Sequence, residues 1–197
     1  MKSDRSTMPG LLALIHEDWL THQRDWTRPG FRAVAVHRFG NWRMRLRPKL
    51  LRAPVSILYR AMFRYIRNHY GIELPYEVKL GRRVLFEHQG AVVIHGNSVI
   101  GDDTVIRQGV TLGNRRREEH DQAPCLGRGV SVGAGAKILG PVRIGDGAMI
   151  GANAVVLCDV PAGATAVGIP ARLVGLTRPA AGSMTADDPA HFEEQRA

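Results

Sequence analysis

His88 is the residue of this chain whose type and setting most invite chemistry. It stands in the run FEHQGAVVI, beside Glu87 and fifteen residues after Glu73. An imidazole titrates near neutral pH in its ordinary state, so it can take a proton from a hydroxyl and make that oxygen a better nucleophile. The plainer reading of His88 is a histidine that only turns a corner. Cys125 and Cys158 are two thiols in 197 residues, too few for a disulfide framework or a zinc cage. Each reads as a small buried hydrophobe. No serine or cysteine is placed for a covalent intermediate. The pair Asp102–Asp103 reads as a corner, and His95 as a surface strand residue.

The element that must carry His88 is a repeat of six residues. Aliphatic side chains recur at Leu126, Val132, Ile138, Ile144, Ile150 and Val156, and the same frame runs through Ile94, Ile100, Ile106 and Leu112. An earlier stretch has Leu74, Leu80 and Phe86. A helix cannot use this period, because six steps of about 100° rotate successive aliphatics off any one face. Short strands joined by corners can use it, with three hexads closing a coil of about 18 residues. The aliphatics then stack inside, and Gly, Asn and Asp serve the corners. Such a solenoid is stabilised mainly by each coil burying its neighbour. Two breaks interrupt the frame. Phe86 to Ile94 is eight residues and Leu112 to Leu126 is fourteen, so insertions leave the solenoid there. Insertions of this kind often build a site, and His88 lies in the first.

Residues 1–70 lack the hexads and carry 14 Lys/Arg against 4 Asp/Glu, whereas residues 71–197 carry 13 against 14. The basic character of the chain, net +9, therefore belongs to its front. That front could face nucleic acid, an anionic membrane surface or a phosphorylated substrate, or form a solvated helical face. Three helices are expected in it: one through Leu11, Leu12, Leu14, Ile15 and Trp19, one near 32–46, and one with Pro54 in its first turn and Gly71 after its end. The third carries Ile57, Leu58, Met62, Phe63 and Ile66 on one stripe, with Arg60, Arg64 and Arg67 opposite. Residues 176–197 read as a disordered tail. No apolar run approaches the roughly 20 residues of a membrane span, and the N-terminus does not read as a signal peptide. A cytoplasmic protein with reduced thiols is expected, with the inner face of the membrane as a further location.

The run GIELPYEVKLGRRVLFEHQGAVVI, then IGDDTVIRQGVTLGN and VGAGAKILGPVRIGDGAMIGANAVVLCDVPAGATAVGIPARLVG, resembles the serine acetyltransferase group of hexapeptide acyltransferases over about residues 71–175. In detail it looks closer to the colanic acid biosynthesis acetyltransferases, a polysaccharide-modifying branch. The resemblance implies a mainly β fold, a left-handed parallel β-helix over 71–175 with a loop at 113–125, preceded by a small α-helical segment at 1–70. It also implies homotrimers, with pairing of trimers left open, and transfer of acetyl from acetyl-CoA to a hydroxyl without a metal. On this resemblance His88 is the general base and Glu73 the carboxylate that orients it. Their spacing, a little under one coil, would set them on neighbouring rungs. Glu87 and Gln122 fall at acceptor-binding positions. Ala134 and Ala152 match places where small side chains admit the pantetheine arm, Gly113 and Asn114 lie near the thioester end, and Arg172 could meet a CoA phosphate. A three-histidine zinc site, as in the prism-fold carbonic anhydrases, is disfavoured because the paired histidines beside the protruding loop are absent.

One departure weighs on the acceptor. Where serine acetyltransferases carry an Arg-His-Pro run, this chain reads Gln122-Ala123-Pro124, so an amino-acid carboxylate would lose its obvious cationic partner. His120 and the arginines at 115–117 could compensate. The expectation is therefore acetylation of a sugar hydroxyl of an exopolysaccharide or its precursor. Serine O-acetyltransferase is the alternative. A non-catalytic trimeric scaffold that binds membrane or nucleic acid is the reading from another class; for the enzyme no nucleic acid is expected, while contact with an anionic membrane stays open.

Overall fold

The computed structural model describes residues 10–47, 49–116, 118 and 122–176. Three helices come first: α1 (Leu11–Thr21), α2 (Pro29–Arg43) and α3 (Lys49–Tyr70). Fifteen short strands follow. The first coils are β1 (Ile72–Glu73), β2 (Lys79–Leu80), β3 (Leu85–Phe86), β4 (Val92–Ile94), β5 (Val99–Ile100), β6 (Val105–Ile106) and β7 (Thr111–Gly113). After the long loop come β8 (Cys125–Leu126), β9 (Ser131–Val132), β10 (Lys137–Leu139), β11 (Arg143–Ile144), β12 (Met149–Ile150), β13 (Val155–Val156), β14 (Ala164–Val167) and β15 (Arg172–Leu176).

Each strand pairs in parallel with strands from the coils above and below, never with its neighbour in sequence until the last hairpin. Sheet A runs β1-β4-β7-β10-β13, sheet B runs β2-β5-β8-β11, and sheet C runs β3-β6-β9-β12-β14-β15. Only β14 and β15 pair antiparallel. This is the connectivity expected of a coil with three strands per turn. The aliphatic frame is the inward face of all three sheets. Phe86, Ile94, Ile100, Ile106, Leu112, Leu126, Val132, Ile138, Ile144, Ile150 and Val156 are all buried, with Leu80 packed at the margin. The residue two before each aliphatic is buried as well, including Ser98, Thr104, Val110, Ala136, Ala148 and Ala154. Small side chains there fill the tapering interior, a second periodicity that the aliphatic count alone does not reveal. The third residue after the aliphatic turns the corner with φ between +54° and +74° at Arg83, Asp103, Gly109, Gly129, Gly135, Gly147 and Asn153. Asp102 reinforces one corner by accepting the Arg82 N–H at 2.8 Å, as the sequence reading of that pair requires.

Several local expectations change. Helix α2 begins at Pro29, earlier than expected, because proline presets the first helical φ. Helix α3 begins at Lys49, so Pro54 lies inside it rather than in its first turn. The carbonyl that Pro54 cannot serve belongs to exposed Leu50, where water can reach it. Of the apolar stripe on α3, Ile66 is buried while Ile57, Leu58 and Met62 face outward. Cys125 and Cys158 are exposed, not buried: they occupy outward positions of their coils. The expected tail lies, beyond Leu176, outside the described residues, as do Arg117 and His120.

The helical front is fastened to the first coil by buried polar contacts. Asp18 of α1 and Arg38 of α2 form a buried ion pair, Nε–Oδ2 2.9 Å, and Arg38 also donates to the carbonyls of Leu80 and Gly81 at 3.0 and 2.6 Å. The Arg43 guanidinium packs against the edge-to-face pair of Tyr59 and Tyr76, 4.0 and 4.4 Å from their ring centroids. His37 Nε2 lies 3.0 Å from the Val78 carbonyl and so carries the proton, leaving Nδ1 buried without a partner. Burial, with the neighbouring Arg38 charge, pushes the His37 pKa down to about 4, and burial lowers that of His22 as well. The unfolded chain therefore takes up protons first as the pH falls. Stability is full above about pH 6.5 and is lost down to about pH 4, with His37 alone contributing on the order of 3 kcal/mol. Urea unfolding at pH 7 and pH 5 should show this loss before the carboxylates titrate, and equal stabilities at the two pH values would refute it.

Candidate active site

The first insertion puts His88 on an edge of the prism. Strand β3 ends at Phe86 in sheet C, β4 begins at Val92 in sheet A, and residues 87–91 turn between them. The helical front holds this corner in place. His22 Nδ1 donates to the Asp18 carbonyl at 2.7 Å, so its Nε2 accepts the Phe86 N–H at 3.4 Å. Gly30 of α2 packs so closely that a Cβ there would lie 2.0 Å from the Phe86 carbonyl oxygen. Gly90 N–H donates to the Tyr70 carbonyl at the end of α3, and Gly90 and Ala91 take positive φ to fit the two extra residues. His88 and Gln89 are left exposed on the outside of the turn.

The next coils stack on this corner. Gly109 N–H donates to the Gly90 carbonyl, Gly135 N–H to Gln108, and Asn153 N–H to Ala134, each at 2.8 Å. His88, Gln108, Ala134 and Ala152 thus ascend one edge between sheets C and A. Beneath them on sheet C run Glu87, Arg107, Gly133 and Gly151, as the pairing of Phe86 with Ile106, Val132 and Ile150 dictates. Arg172 tops the same sheet, paired with Val167. Two coils above His88 the side chains shrink to Gly133 and Ala134, and the coils stack tightly there: a Cβ on Gly133 would lie 2.6 Å from the Ala152 nitrogen. The expected residues His88, Glu87, Ala134, Ala152 and Arg172 therefore share one edge.

The others stand apart. Gly113 ends β7 and Asn114 follows it, so both lie on the opposite edge of sheet A, where Gly140 N–H donates to the Gly113 carbonyl. Gln122 is exposed just before β8, at the start of sheet B and on that same far edge. Four residues of extended strand, about 13 Å, separate the two edges. Glu73 faces outward on β1, paired with Val93. Among the described residues no hydrogen bond joins it to His88.

Sequence reasoning missed Arg107. Its Nε lies 2.6 Å from Glu87 Oε2 and its Nη1 donates to Ser131 Oγ at 3.2 Å. The pair neutralises the carboxylate beside His88 and fixes it on sheet C. The signal was present: Arg107 follows its aliphatic directly, where the two coils above have Gly133 and Gly151. Lys137, on the outer face of sheet A, donates to Thr111 Oγ1 at 3.1 Å and to the Gly109 carbonyl. Cavities of about 530 and 400 Å³ lie in the helical front and against it, and neither includes a residue of the His88 edge. That edge is convex in a single chain. Among the described residues no cluster of metal-ligating side chains forms.

Short parallel strands at a six-residue period, with chemistry at an insertion, define a hexapeptide-repeat transferase. Residues 126–158 match the family model for the bacterial transferase hexapeptide (six repeats). A serine acetyltransferase of Helicobacter pylori strain J99 is 40% identical over 146 residues, which cover 74% of this chain and 81% of that protein. One of Mycobacterium tuberculosis is 38% identical over 154 residues, 78% of this chain and 64% of that protein. The serine acetyltransferase of Brucella abortus strain S19, solved in complex with coenzyme A, superposes with a TM-score of 0.73 at 27% identity, over 86% of this chain and 69% of that one. The chain belongs to the serine acetyltransferase family. It spans only 56–64% of the length of several curated relatives.

These relatives overturn the expected polysaccharide acceptor, and the finer resemblance to the colanic acid branch gives way with it. Proteins 35–44% identical to this chain carry the serine acetyltransferase name. Gln122 and Ala123 are two positions of one loop, whereas the similarity runs over 114–167 residues.

Proposed function

We propose that the protein is an acetyl-CoA-dependent O-acetyltransferase whose acceptor is L-serine. The observation that carries this reading is an exposed histidine at the foot of an edge whose upper coils carry only the small residues Ala134 and Ala152, in a chain of this family. His88 takes the proton of the serine hydroxyl as the oxygen attacks the thioester carbon. The C–O bond forms and the carbonyl electrons move to its oxygen. Collapse then breaks the C–S bond, and the imidazolium returns its proton to the departing sulfur, leaving O-acetylserine and CoA. Glu73 orients the ring, which no hydrogen bond among the described residues restrains from turning toward sheet A. Glu87, held by Arg107, faces the acceptor. Ala134 and Ala152 offer the pantetheine arm only methyl groups along this edge, and Arg172 is the cation for a phosphate at its top.

Two further features belong to this proposal. The coil winds left-handed, as in the family resemblance. A homotrimer sets the far edge of one subunit, with Gly113, Asn114 and Gln122, against the His88 edge of the next, which gives a convex edge its second wall. The test is release of CoA thiol from acetyl-CoA with L-serine as acceptor. Serine-dependent release is expected. Its absence, with acetyl-CoA bound, would overturn the acceptor assignment and leave the acyl-binding edge standing.

A further inference from the structure

From Trp26 to Ile72 the chain contains no Asp or Glu and eleven Lys/Arg. Helix α3 lies in this stretch and is amphipathic in an unusual sense: its apolar face points outward. Leu50, Leu51, Ile57, Leu58, Met62 and Tyr65 recur at helical spacing and are all exposed, Leu50 by 90% and Ile57 by 67%. They extend over about 22 Å of helix. Lys49, Arg52, Arg60, Arg64 and Arg67 accompany the stripe, and none enters an ion pair among the described residues. Trp26, 66% exposed, stands at the rim of an apolar cleft of about 530 Å³ between α2 and α3 that Met62 and Tyr65 also line.

An exposed apolar stripe of this size needs a cover, and its charge selects one. A second copy laid α3 against α3 would bring arginine rows together with no carboxylate on either helix to pair them. A nucleic acid would satisfy the arginines and leave the leucines in water. A bilayer surface carrying anionic headgroups satisfies both, since aliphatic side chains enter the acyl boundary while arginines stay at the phosphates. Among the described residues no helix is long and apolar enough to cross a membrane, so the contact lies in the interface plane. We infer that α3, with the Trp26 rim, docks this protein on an anionic lipid surface. The inference is independent of the acetyl acceptor.

The test is co-sedimentation of the full chain with phosphatidylglycerol-containing vesicles and with pure phosphatidylcholine vesicles. Solution mass is measured by light scattering and duplex DNA binding by gel shift, and circular dichroism confirms that each variant is folded. Binding to the anionic vesicles, weakened by salt, is expected. The double variant Arg60→Gln with Arg64→Gln should weaken it roughly thirty-fold, as two lost cations at a charged surface require. Ile57→Asp with Leu58→Asp should abolish it without changing the solution mass. Equal binding to phosphatidylcholine, or indifference to both variants, would overturn the proposal. So would a fall in solution mass with unchanged sedimentation, which assigns the stripe to a second copy, or loss of duplex DNA binding alone, which assigns it to nucleic acid.

Discussion

Replacing His88 by alanine should lower kcat by about 10²–10⁴-fold while leaving acetyl-CoA affinity close to that of the parent. The magnitude is what a positioned general base ordinarily supplies. The split between kcat and affinity follows from the stacking of the edge. His88 sits at the foot of the column, whereas the small residues proposed for the cofactor, Ala134 and Ala152, lie two and three coils above it. The side chain is exposed and makes no hydrogen bond among the described residues, so its removal leaves no buried group unpaired. A stability loss therefore cannot imitate the kinetic one, and thermal unfolding of the variant should match the parent. His16→Ala serves as the control, since His16 is exposed on α1 and meets Trp19 only as a tilted ring pair, centroids 5.7 Å apart. Thiol release and acetyl-CoA binding measured on both variants decide the matter. Parental turnover in His88→Ala would remove His88 from the chemistry, whatever the acceptor.

The coil was legible because its signal is repeated. Twelve aliphatics and Phe86, from Leu74 to Val156, keep a six-residue step through all but two breaks, which no helix can use, and each strand makes the same contact with its neighbours. The corner that holds His88 was legible for the complementary reason, because a regular solenoid makes an eight-residue step conspicuous. What could not be read lies in contacts with no period. Glu87 and Arg107 meet only because the two extra residues fall after Phe86, leaving β3 and β6 in register. The long start of α3 and its outward apolar face were hidden because periodicity reports an apolar stripe without saying what covers it. The acceptor was misread for a different reason. The departure at Gln122 and Ala123 is two positions of one loop, and it was given more weight than the similarity of the coils, which runs over 114–167 residues.

The junction between helices and coil was the least legible part, and it carries the second large effect. Asp18→Ala should destabilise the protein by about 3–5 kcal/mol, the usual consequence of stripping the partner from a buried charge. Asp18 is fully buried and Arg38 is 7% exposed. The guanidinium grips both carboxylate oxygens, Nε–Oδ2 at 2.9 Å and Nη2–Oδ1 at 3.3 Å. With the carboxylate gone, a cation remains in the seam with only the carbonyls of Leu80 and Gly81 to solvate it. Asp18→Leu combined with Arg38→Met removes both charges, and it should be less destabilised than Asp18→Ala even though those two carbonyls lose their donor. By contrast, Glu17→Ala breaks contacts with Arg82 and Arg83, which are half to two-fifths exposed, and should cost about 1 kcal/mol or less. Urea unfolding of the three variants gives the comparison. Asp18→Ala within about 1 kcal/mol of the parent would show that water reaches the seam and screens the pair. The expected order has a functional corollary, because His22, which accepts the Phe86 N–H two residues before His88, donates to the carbonyl of Asp18 itself. Loosening this pair should therefore lower kcat before it unfolds the coil, tying the stability of the front to the position of the base.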